Sequence, residues 1–478
     1  MTDVMASPRA GRVRGVRRDG IASFRGIPYA AAPAGPLRFR PPVPVPAWGG
    51  VRDAGSFGVA PPQLPPGPGA PSAWRPADGL DCLSLNVWTP DPGAGGLPVM
   101  VWLYGGAFKH GSAGRPDFDA TVLASAGVVV VTLNYRIGFE GFGHIPGVPD
   151  NRGLRDQIAA LEWVRDNVTA FGGDPANVTL FGQSAGAAST ALLMTAPAAR
   201  GLFRRAIAQS IPDACLSPAE ARRATAVLAG AAGVAATWED LAGLSPEEIL
   251  RHQDAPLPEP ATGGSAFTPV VDGDLVGGPP WRRLRDGAGR DIDLICGFTH
   301  DEARLYTSAV PAAAIDLPAA AAALRLPERA VADYRTAYPD RTDPELLTVM
   351  MSDALFRMPT TRVAEAHTAA GGRTWLYDLT WQSPRLGACH ILDVPLAFGN
   401  AASPLAARLL GTPPPPGFAE LSAQIRTAWT SFAATGDPGW PRFDRERGTT
   451  RSWNVPATEG AYPLPASRRI WLDVVPTE

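Results

Sequence analysis

Lysine is nearly missing from this chain: among 43 basic residues, Lys109 is the only one. Such an arginine bias reflects coding composition rather than function, and it draws attention to the single exception. Cysteine is scarce as well. Cys82, Cys215, Cys296 and Cys389 are scattered without metal-type spacing, so they read as mostly free thiols of a reducing compartment and no metal is expected. No uninterrupted apolar run of about 18 residues occurs, so no membrane span is expected. Residues 1–25 are arginine-rich without an apolar segment, so no signal peptide is expected and a cytoplasmic location follows by default. Neither charge sign is in large excess. A net charge of −3 gives no basic footprint for nucleic acid and no polybasic patch for a membrane.

Core material is ample, with 45% hydrophobic and 19% charged residues. The length of 478 residues exceeds the usual domain, but a single α/β sheet can grow by insertion. Buried-strand patterns occur at 98–104, 128–135, 178–181, 293–298 and 375–381, and 154–168 has helical spacing. Strands alternating with helices predict a mostly parallel sheet covered on both faces. Ala/Leu/Arg-rich helical patterns at 218–252 and 309–336 suggest a helical insertion over roughly 218–345 within one domain, 1–478. The proline-dense stretches 61–76 and 413–416 read as extended surface loops.

Residues 178–186, Val-Thr-Leu-Phe-Gly-Gln-Ser-Ala-Gly, carry the clearest chemistry. A β-branched run stops at Gly182, Ser184 stands between two glycines, and a small-residue helical pattern follows. In this G-x-S-x-G order a strand, a sharp elbow and a helix lift a serine hydroxyl clear of the sheet edge. Side chains at 182 and 186 would have no room in such a turn. The helix behind the serine offers backbone N–H groups and a positive dipole end where an oxyanion would form.

A serine hydroxyl needs a general base, and there are six histidines. Elbows of this kind run serine, acid, histidine along the chain, which sets aside His110 and His144. His252 and His367 sit in charge-rich helical stretches and read as solvated surface. His390 follows the small-residue loop Leu386-Gly387-Ala388-Cys389 after a strand, where a base can reach over the sheet. Asp301 and Glu302 both qualify as the acid, because both follow the strand-like run ending near Phe298. The residues alone do not choose between them. His300 lies too near either acid in sequence to serve easily as its base.

Several ordered blocks extend the pattern almost end to end. They are Phe24-Arg25-Gly26-Ile27-Pro28-Tyr29-Ala30 with Leu37-Arg38-Phe39, Asp81-Cys82-Leu83-Ser84-Leu85-Asn86-Val87, residues 171–186, and Ala433-Ala434-Thr435-Gly436-Asp437-Pro438. Together they resemble the type-B carboxylesterases, the family of cholinesterases and bacterial para-nitrobenzyl esterases, which have the α/β-hydrolase fold. The resemblance implies a serine carboxylesterase working through an acyl-enzyme on Ser184, with Glu302 as the acid and His390 as the base. It makes Tyr104-Gly105-Gly106-Ala107-Phe108 the oxyanion loop, with the N–H groups of Gly106, Ala107 and Ala185 as donors. No cofactor is implied, the partner is a small-molecule ester, and the choice between monomer and homodimer stays open.

The chain also departs from that family. Position 183, usually Glu, is Gln, and an amide offers a protonated base only a dipole, so activity is expected to extend to slightly lower pH. Leu80 replaces the Glu that usually precedes Asp81-Cys82, so the family's ion pair to Arg38 is expected to be missing or rerouted. Cys82 lacks the partner that cholinesterases supply near 61–63, which leaves the 61–76 loop untethered and able to shape substrate access. Lys109 reads as a contact for an anionic or carbonyl group of the substrate, or as a solvent-facing loop lysine. Ser210 reads as a hydroxyl behind the triad or as a buried structural serine. Phe108, Gln183, Ile391, Leu392 and Phe398 are candidate pocket residues by adjacency to the motifs. Two other functions fit less well. A tailoring enzyme could use the same acyl-enzyme for lactonisation, transacylation or amide cleavage, since pocket shape chooses the acceptor. Against a non-catalytic interaction protein stands the survival of Ser, Glu and His together.

Overall fold

The Val-, Leu- and Ile-rich runs line up in one sheet of 13 strands in a computed structural model. The structure describes residues 2–478 except 66, 68, 69, 258–264, 473 and 475–478. The strands are β1 (Thr2–Ala6), β2 (Arg12–Arg18), β3 (Ile21–Pro28), β4 (Val51–Asp53), β5 (Ser84–Thr89), β6 (Leu97–Leu103) and β7 (Val129–Leu133). They continue as β8 (Gly173–Gln183), β9 (Arg205–Gln209), β10 (Asp293–Thr299), β11 (Thr374–Leu379), β12 (Thr450–Trp453) and β13 (Thr458–Gly460). The sheet order is β1-β2-β3-β5-β7-β6-β8-β9-β10-β11-β12-β13, with β4 beside β2.

From β7 to β12 every neighbouring pair is parallel. Every residue of β7, β9, β10 and β11 is buried, as strands covered by helices on both faces require. The arginine-rich N-terminus forms strands too, which its composition did not suggest. In β2, exposed Arg12 and Arg14 flank buried Val13, the alternation of a strand with one wet face.

The helical material is not one block over 218–345. β10 falls inside that span and pairs with β9 and β11, because its apolar run belongs to the sheet core. Helices such as Pro218–Ala232 precede it, and Ala330–Ala337 and Asp343–Ser352 follow. The 413–416 stretch links two helices, Pro404–Leu410 and Phe418–Thr435. Of the 61–76 stretch, residues 66, 68 and 69 lie outside the described residues. Its start is tethered after all, without a disulfide: the Gln63 amide donates to the Gly111 carbonyl at 2.7 Å and accepts from the Gly111 N–H at 2.8 Å. Trp74 packs with Ala60 and Leu250.

Arg38 has found another partner. Its guanidinium pairs with Glu140 at 2.5 Å, both nearly buried, so the ion pair is rerouted rather than lost. All four cysteines are unpaired. Among the described residues no helix is long and apolar enough to cross a membrane. The carboxyl ends of the parallel strands share one edge, where ligand chemistry gathers in such sheets. There β6 runs into Tyr104, β8 into Ser184, β9 into Ser210 and β10 into His300.

Candidate active site

β8 ends at Gln183 and the helix Ala185–Thr195 begins two residues later, so the chain turns at Ser184 itself. That turn holds Ser184 at φ 57° and ψ −124°, a costly conformation for a side-chain-bearing residue. The glycines make it possible. A Cβ at Gly182 would meet the Gly186 carbonyl oxygen at 2.5 Å, and one at Gly186 would overlap the Leu103 carbonyl. The Ser184 N–H is held by the Gln209 carbonyl at 2.9 Å.

The loop after β6 lies against the elbow, since a Cβ at Gly105 would come within 2.9 Å of the Ser184 Cβ. Ala107 and Phe108 both have positive φ, 53° and 58°. This pair of strained residues turns the loop so that the Lys109 and His110 N–H groups close on the Gly106 carbonyl, each at 2.9 Å. No described residue accepts from the N–H of Gly106 or Ala107, so both are free to serve an anion.

The two acid candidates part company after β10. Glu302 is buried: its Oε1 accepts from the Thr299 N–H at 2.9 Å, and the His390 Nδ1–H donates to its Oε2 at 2.5 Å. Asp301 turns away to Arg304, 3.2 Å distant, and to the Gln382 amide. Backbone bonds from His390 to the Glu302 carbonyl (3.0 Å) and from Asp301 to Ala388 (2.8 Å) lock the histidine loop to the strand end. His300 pairs with Asp378 at 2.8 Å. Burial opposes its charge, but the Asp378 carboxylate outweighs burial and raises its pKa.

The His390 ring stacks on Phe356, with centroids 4.1 Å apart and planes at 22°. The Gln183 amide nitrogen lies 3.1 Å from its Nε2. The Ser184 hydroxyl makes no hydrogen bond to the ring in this arrangement of the described residues. Just beyond, Asp393 accepts from the Tyr377 hydroxyl at 3.1 Å, and burial pushes its carboxyl up to about 6. Ser210 is buried behind the elbow at φ 58°, its hydroxyl without a partner among the described residues.

Other expected residues fall elsewhere. Lys109 pairs with Asp254, so a substrate anion would have to displace that carboxylate. Phe398 and Leu392 are fully buried in the hydrophobic core. Phe398 packs edge-on against Trp102 at 5.1 Å, because the helix Asp393–Phe398 turns it beneath the sheet. Phe108 is also buried, edge-on to Phe142 at 4.9 Å, while Ile391 is half-buried at φ 73°. His367 is not surface: it is fully buried between Thr374 and the Gly289 carbonyl, because its helix packs on β10 and β11. His252 is half-buried at a helix end. Among the described residues no group of three or more His, Cys, Asp or Glu could hold a metal ion. Phe356 and Asp393 carried no local motif; the Asp353–Arg357 spacing around Phe356 was the one available signal.

A serine on a strained elbow, unpaired amides beside it and a buried carboxylate–imidazole pair define a serine hydrolase of the α/β-hydrolase fold. The sequence profile of the Carboxylesterase family matches residues 2–461, and the chain belongs to that family. It is a carboxylic ester hydrolase. The para-nitrobenzyl esterase of Bacillus subtilis is 35% identical over 463 residues, 93% of this chain and 94% of that protein. Phenmedipham hydrolase of Pseudarthrobacter oxydans is 35% identical over 93% of each. The crystal structure of a Geobacillus stearothermophilus carboxylesterase superimposes with a TM-score of 0.86 at 35% identity, covering 98% of this chain and 99% of that one.

Proposed function

We propose that Ser184 is the nucleophile, His390 the general base and Glu302 the acid that orients it. Ser184 attacks the ester carbonyl while His390 takes its proton, and the oxyanion settles on the N–H groups of Gly106, Ala107 and Ala185. His390 returns the proton to the leaving alcohol, and a water activated by the same ring then releases the acid. Each oxyanion donor contributes about 3 kcal/mol of barrier lowering. The observation carrying this reading is the 2.5 Å contact between Glu302 and His390, with the residue before Ser184 touching the same ring. One domain with helical blocks on either side of β10 carries the reaction, and four unpaired thiols support a cytoplasmic setting.

Labelling with a fluorophosphonate probe tests the assignment. Ser184→Ala is expected to abolish labelling, and Ser184→Ala or His390→Ala to cut para-nitrophenyl ester hydrolysis by roughly a thousandfold or more. Full labelling of Ser184→Ala would overturn it. The same assay over esters of varied chain length and charge reports the acyl preference.

A further inference from the structure

The Gln183 amide nitrogen lies 3.1 Å from Nε2 and 3.4 Å from Nδ1 of His390. These two ring nitrogens flank a single carbon, Cε1. A point so nearly equidistant from both would overlap that carbon if it lay in the ring plane. The amide nitrogen therefore stands over the ring face. Phe356 covers the ring at 4.1 Å and 22°, which leaves no room for an amide between the two rings, so Gln183 is on the opposite face.

Phe356 sits in a wide, π-type turn, Asp353–Arg357, between two helices, a geometry that recurs at functional sites. Arg357 closes the turn on Asp353 at 2.7 Å and donates to the His300 carbonyl at 2.8 Å, two residues before Glu302. The Ala303 N–H donates to Ser352 at 2.9 Å. The turn carrying Phe356 and the loop carrying Glu302 are thus joined by two hydrogen bonds.

We propose that Gln183 and Phe356 are positioning residues that clamp the His390 ring from its two faces, so that it swings only in its own plane about the Glu302 contact and delivers Nε2 to Ser184. This rests on His390 being the base. The clamp leaves the in-plane direction from Nε2 open, which is the direction a serine hydroxyl takes. The phenyl face also suits the imidazolium that forms during attack.

The other ionisable groups around the ring are Glu302 on Nδ1, Tyr306 with its ring 6.1 Å away, Asp393 and Cys389. The full chain and its variants are compared on a para-nitrophenyl ester across pH. Phe356→Leu removes the flat face and is expected to lower kcat roughly threefold to tenfold at unchanged KM, with Phe356→Tyr restoring it. Gln183→Glu puts a carboxylate over the imidazolium and is expected to move the acid limb of kcat/KM upward by about one pH unit. An unmoved acid limb, or equal losses in the Leu and Tyr variants, overturns the clamp. Wild-type protein that fails to label at Ser184 overturns the underlying assignment instead, so the two failures are distinguishable.

Discussion

Gly186 shows how closely the nucleophile depends on missing atoms. The elbow brings the backbone of 186 against Leu103 and Tyr104, so even one methyl group overlaps carbonyl oxygens that cannot move without breaking β6. Gly186→Ala is expected to destabilise the protein by at least about 2 kcal/mol, read as a lowered denaturation midpoint, since overpacking against backbone has no side chain to yield. An unchanged midpoint would mean that the elbow relaxes more than its packing suggests. The two carboxylates that follow β10 part at the same scale. Asp301 and Glu302 are adjacent and chemically alike, and the Thr299 N–H draws one inward while Arg304 draws the other out.

At the level of elements, the helix Met358–Ala369 follows the turn that carries Phe356 and packs on β10 and β11 through His367. Burial drops the His367 imidazole from 6.5 to about 4, against the backbone carbonyls of Gly289 and Ile292 that favour its charge. The unfolded chain therefore binds the extra proton between those values. Stability from this group is complete above pH 6.5 and falls as the pH drops towards 4, by roughly 3 kcal/mol in all. His367→Gln keeps a polar group at the site without the titration. Denaturant unfolding of this variant is expected to show a flatter loss of stability between pH 6.5 and 4 than the wild type. Parallel slopes would contradict the assignment.

Across the whole molecule, the N-terminal segment is fastened to the body of the fold by Arg38. It reaches Glu140 at 2.5 Å and donates to the Leu244 carbonyl, joining three distant parts of the chain. Breaking a buried pair on one side leaves an uncompensated charge, which costs more than the pair itself contributes. Glu140→Gln is expected to lower stability by about 3 kcal/mol, seen as a fall in Tm, while the double variant Arg38→Met/Glu140→Leu recovers most of it. A double variant as unstable as the single one would show that Arg38 acts through packing alone.

Periodicity and glycine spacing were enough to read β6, β7, β8, β10 and β11, the elbow at Ser184 and the histidine loop, because each is a local pattern of burial and backbone freedom within a few residues. Nothing local could show that Arg38 meets Glu140, that Gln63 bonds Gly111, that His367 is buried, or that Phe356 lies over His390. Most of those contacts join residues tens to about a hundred positions apart, and packing decides which side chain fills the space when the sheet closes. The same physics bears on Leu392 and Phe398: adjacency along the chain puts both near His390, and packing buries both side chains completely.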